Sequence, residues 1–78
     1  MYLCDEIIKI ANENYISCEV WEEAENVVAV SITMGDWKHD HLRIDWLVAE
    51  NLNPKNSKKE VIDEDGSDAY SAIHRFYF

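Results

Sequence analysis

The residues best equipped for chemistry lie in two short polar runs. The first is Asp36-Trp37-Lys38-His39-Asp40-His41-Leu42-Arg43-Ile44-Asp45. In an extended chain its His39-x-His41 spacing puts two imidazoles on one face, where His74 or Asp45 as third ligand could complete a divalent-metal site. On a helix the same two residues are about 200° apart and diverge, while His41 and Asp45, like His39 and Arg43, become i, i+4 neighbours. The helical period of the residues that follow favours the second arrangement, so no metal or other cofactor is expected.

The second run is Glu64-Asp65-Gly66-Ser67-Asp68-Ala69-Tyr70-Ser71-Ala72-Ile73-His74-Arg75. Its acid-rich glycine turn lacks the Asp-x-Asp-x-Asp-Gly ladder and closing glutamate of a helix-loop-helix calcium site. His74 falls on the same strand face as Tyr70 and Ala72, the place of a satisfied core or pocket histidine. Ser67, Ser71 and Arg75 have the groups to hold a small anion. Nucleophilic catalysis needs Ser or Cys activated by His and oriented by a carboxylate, and no such motif is present. Gly35 and Gly66 are the only glycines, so there is no phosphate-cradling loop. The expectation is a protein that is not an enzyme.

Acidity is the stronger signal. Sixteen Asp and Glu stand against seven Lys and Arg, a formal charge of −9 in 78 residues. That balance argues against direct nucleic-acid binding and against an anionic membrane, both of which reward cations, and favours a basic partner. Glu19, Glu22, Glu23 and Glu25 gather at one predicted hairpin turn, and Glu60, Asp63, Glu64, Asp65 and Asp68 at another. Rows of anions at strand spacing can occupy a cationic groove built for phosphates.

These residues must be positioned by one small domain spanning 1–78, since the chain is too short to divide. Its 47% hydrophobic content is too high for disorder. A core this small leaves room for a homodimer to supply further burial. Leu3, Ile7, Ile10 and Ala11 recur at helical spacing, and Asn12 to Asn14 end that helix. Residues 15–22 alternate, with Ile16, Cys18 and Val20 inward and Trp21 outward. Residues 27–34 alternate again, with Val28, Val30, Ile32 and Met34 inward.

A second helix is predicted over 37–52 from Ile44, Leu47, Val48 and Leu52, with Asp36 or Asp40 as N-cap and Asn53-Pro54 as its stop. Residues 55–59 read as a polar connection and 60–63 as a short strand. Residues 68–78 alternate, with Tyr70, Ala72, His74, Phe76 and Phe78 on one face and Arg75 and Tyr77 on the other. The order αββαββ predicts an α+β two-layer sandwich, a four-stranded antiparallel sheet with two helices on one face. Cys4 and Cys18 read as buried small hydrophobes. The opening residues lack the basic and apolar regions of a signal peptide, no stretch suits a membrane span, and a cytoplasmic protein is expected.

The segments Gly35-Asp36-Trp37-Lys38-His39-Asp40-His41 and Glu64-Asp65-Gly66-Ser67-Asp68-Ala69-Tyr70-Ser71-Ala72-Ile73-His74 resemble parts of small acidic proteins encoded by bacteriophages and prophages. The resemblance covers about eighteen residues and brings no catalytic assignment. It implies the setting of inhibitors of host defence, including anti-CRISPR proteins, some of which mimic DNA. Two expectations result. In the first, Glu19, Trp21, Glu22, Glu23, Glu25, Trp37, Asp63, Glu64, Asp65 and Asp68 dock on a basic surface of a host protein or ribonucleoprotein complex. In the second, Trp37, His39, His41, Arg43, Tyr70, Ser71, His74 and Arg75 line a pocket for a small ligand or nucleotide, between the second helix and the last strand.

Overall fold

The computed structural model describes residues 2–64 and 69–78. Its elements are α1 (Tyr2–Glu13), β1 (Glu19–Ala24), β2 (Val27–Asp36), a π-helical turn (Trp37–His41), α2 (Leu42–Leu52), β3 (Asn56–Glu64) and β4 (Ala69–Tyr77). The strands form one antiparallel sheet in the order β1-β2-β4-β3. This is the expected α+β fold, two helices against a four-stranded sheet.

Local chemistry accounts for the boundaries. α1 buries Cys4, Ile7 and Ala11 along one stripe and ends where Tyr15 turns left-handed at φ 58°. The Asn14 amide there donates to the Ile10 carbonyl at 2.8 Å. Asn53, at φ 49°, closes α2 by donating its N–H to the Ala49 carbonyl, as an asparagine tolerates the left-handed region better than most residues. Between the ends of the sheet, Val28, Val30 and Ile32 of β2 pack with Phe76 of β4 against Ile7, Ala11, Ile44, Leu47 and Val48.

Three strand expectations need correction. Met34 does not point inward: a bulge between Ile32 and Gly35 breaks the alternation, leaving Met34 at φ 57° and 47% exposed. The Met34 N–H donates instead to Ser71 Oγ at 3.1 Å. β1 begins at Glu19 rather than residue 15, because the left-handed Tyr15 has to reverse the chain first. Residues 56–59 are strand and not a loop, since they pair with residues 74–77 across β4. Periodicity could not reveal this, for all nine residues of β3 are exposed and it has no buried face.

Candidate functional site

Three of the polar residues converge under the sheet, built by the π-helical turn. The Asp36 side chain caps that turn, Oδ1 accepting from the backbone N–H of Lys38 at 2.8 Å and of His39 at 2.9 Å. Two residues on, His41 is turned inward and fully buried, whereas the His39 ring stays in solvent beside Asp40, at 3.1 Å. The two imidazoles diverge, as helical geometry requires. A buried Gly35 makes space for the ring: a Cβ there would lie 2.5 Å from Ile32 Cγ2 and 3.1 Å from His41 Nε2.

His41 then joins a chain of short contacts. Its Nε2 lies 2.9 Å from the Tyr70 carbonyl oxygen and its Nδ1 lies 2.8 Å from Nε2 of the equally buried His74. His74 Nδ1 reaches Asp45 Oδ1 at 2.9 Å. The rings of His41 and Tyr70 stack with centroids 4.3 Å apart, and Lys59 Nζ donates to the Tyr70 hydroxyl at 2.6 Å. Since a carbonyl only accepts, His41 must carry a proton on Nε2, and an ionised Asp45 requires one on His74 Nδ1. With only those two protons, the facing nitrogens would present lone pairs to each other. The contact is satisfied when a third proton lies between them, so that the two histidines and Asp45 together carry no net charge. Burial, the main cause, pushes the His41 pKa below its ordinary value, with the Tyr70 carbonyl working against that shift.

This arrangement holds and orients protons without offering a reactive atom. Its inner end stops on a backbone carbonyl, and all four ring nitrogens of the pair are engaged, leaving no lone pair for a metal. Among the described residues no group of three His, Cys, Asp or Glu is placed to hold one. Of the residues expected to line a ligand pocket, His41, Tyr70 and His74 meet, His41 stacked on Tyr70 and joined to His74 through the facing ring nitrogens. Arg43 instead bonds Asn14 Oδ1 at 3.0 Å, and Ser71 is taken up by the Met34 N–H. Arg75 lies on the opposite face of the sheet, where residues alternate with the buried ones of β4. Trp37 sits half-buried at the start of the π-helical turn with Lys38 Nζ 5.3 Å from its ring centre.

The acidic residues fall into two groups. Val27 pairs with Tyr77 and Asp36 with Ala69, so the β1-β2 and β3-β4 turns leave opposite ends of the sheet. Nine-residue β4 separates them by about 30 Å at strand rise. Glu19, Trp21, Glu22, Glu23 and Glu25 cluster along edge strand β1 and its turn; Trp37, Asp63 and Glu64 belong to the far end, while Asp65 and Asp68, like Ser67, lie outside the described residues. All four glutamates are exposed, with Trp21 38% exposed among them. Among the described ion pairs only Glu23 of this group has a cation, Arg75, which also contacts Glu60 at 2.8 Å and so ties β1 to β3 across the small, buried Ala29.

The Arg75 clamp and the Lys59–Tyr70 bond had no sequence signature, because each joins strands whose order no local pattern specifies. A shallow cleft lined by Ser17, Cys18, Glu19, Ser31 and Thr33 adjoins the acidic edge. Cys4 and Cys18 are unpaired, and burial pushes both thiols up, away from the reactive thiolate. Among the described residues no helix is long and apolar enough to cross a membrane. In comparisons with known proteins, no family model matches the chain, and no curated protein or solved structure is significantly similar.

Proposed function

We propose that this chain is a non-enzymatic inhibitor of the phage anti-defence kind, which sets its acidic edge against a basic, nucleic-acid-binding surface of a host protein or ribonucleoprotein. The supporting observation is the row of exposed glutamates on β1 and its turn, with a half-exposed Trp21 in the middle. Glu19, Glu22 and Glu25 are available to Arg or Lys of a partner, and Trp21 can supply the desolvated anchor that charge alone lacks. Because the two acidic turns leave opposite ends of the sheet, the contact is assigned to the β1 edge, and Asp63 and Glu64 contribute long-range attraction.

The test is capture of partners from the cell of origin at low salt, followed by stepwise salt elution and competition with nucleic acid. Retention should fall steeply with salt, weaken strongly in Glu22→Gln/Glu25→Gln, and exclude nucleic acid from the captured partner. Binding that is flat in salt, or indifferent to the two substitutions, would sink this reading.

A further inference from the structure

β1 and β3 are the free edges of the sheet, each a row of backbone N–H and C=O groups that another strand can pair with. β3 is open on both faces, with Val61 45% and Ile62 57% exposed. Its order of charges selects the strand that fits. Two copies of β3 about a two-fold axis would pair antiparallel, and face-matched registers centred on residues 58, 59 or 60 set Lys58, Lys59 or Glu60 against itself. Like charges directly opposite are destabilising. Sliding further brings in the bulge at Ile62, past which the faces no longer match. Two copies of β1 centred on Trp21 or Glu22 would set Glu19 against Glu23 or Glu22 against itself, and centring on Val20 leaves only residues 19–21 of the strand paired.

The unlike edges do fit. Continuing the sheet in the same sense places β1 of a second copy antiparallel to β3, since strand directions alternate throughout. We propose that a second copy of this chain adds its β1 to β3, with Lys59 opposite Glu22, Lys58 opposite Glu23, Glu60 opposite Trp21 and Val61 opposite Val20. Faces agree in this register. Lys59 and Val61 are level with His74 and Ala72 on the helix side, where Val20 and Glu22 are level with Val30 and Val28. Glu60 is level with Ile73 on the open side, where Trp21 is level with Ala29, and the carboxylate of Glu23 reaches Arg75 on that side too. The adjacent face-matched registers each set Glu60 against a glutamate, Glu19 or Glu23.

A contact between unlike edges does not close on itself, so it builds chains or rings rather than a dimer. The net charge of −9 opposes such growth and confines it to high concentration. A basic partner of β1 would compete for the same glutamates. The experiment needs no such partner, so its failure leaves the docking reading untouched.

Sedimentation from micromolar to millimolar protein should show a mass that rises past the dimer. Glu22→Lys/Glu23→Lys and Lys58→Glu/Lys59→Glu should each stay monomeric alone and associate again when mixed, because each then meets an oppositely charged edge. A wild type monomeric throughout, a plateau at dimer, or a mixture that stays monomeric would each overturn the proposal, and re-association on mixing also shows that both variants are folded.

Discussion

His74 and Arg75 are neighbours on β4, and each holds carboxylates drawn from other elements, yet they live in different electrostatic worlds. His74 faces the helices, fully buried, between His41 and Asp45. Arg75 faces solvent between Glu23 and Glu60. Water screens the second cluster and would solvate any of its members left alone, whereas in the first only the Asp45 carboxylate reaches solvent and the two imidazoles are sealed from it. The pleat alone assigns them to these environments, and geometry that looks equally good on both faces should differ widely in energetic weight.

The sharpest way to break that contrast is His74→Ala, which strands the buried His41 Nδ1 and leaves Asp45 to solvent. Leaving the buried His41 nitrogen without a partner costs about 1–3 kcal/mol, to which the cavity left by the fully buried ring adds, a large share of what a domain of this size has. Urea unfolding should show it. A loss no larger than that of Arg75→Ala would end the distinction between the faces. Asp45→Asn keeps an acceptor for His74 but removes the balancing charge, and is expected to cost about 1–3 kcal/mol.

Gly35→Ala tests whether packing around the imidazoles is as tight as their hydrogen bonds. The added methyl has to displace Ile32 and His41, at about 1–3 kcal/mol. His41 also sharpens the comparison through pH. Its pKa is lowered in the folded state, so the unfolded chain binds the additional proton more readily. The His41 contribution to stability is therefore full above about pH 6.5 and is lost as pH falls through the lowered folded value. Melting temperatures at pH 7 and pH 5 should show this acid limb, and His41→Phe should flatten it. The smallest effect expected is that of Arg75→Ala, whose urea midpoint should move least of the variants.

Much of this contrast was legible in the sequence. Alternation at 70, 72, 74 and 76 placed His74 inside and Arg75 outside, and the i, i+4 relation joined His41 to Asp45 on one side of a helical segment. What hid the rest was distance along the chain. His41 and His74 are 33 residues apart, and nothing in either run fixes that their rings meet through facing nitrogens. Met34 and residues 56–59 were misread for a related reason. A bulge resets the period of two, and a strand exposed on both faces shows no period at all.

The sequence by itself determined the element order, the inward faces of α1, β2 and β4, the caps at Asp36 and Asn53, and the acidic character, because each depends on side chains a few residues apart. Only the tertiary structure decided that the two acidic turns leave opposite ends of the sheet, that β1 and β3 are its edges, and that two histidines and Asp45 share buried protons. Those outcomes depend on strand order and register, which are set by how the whole core packs.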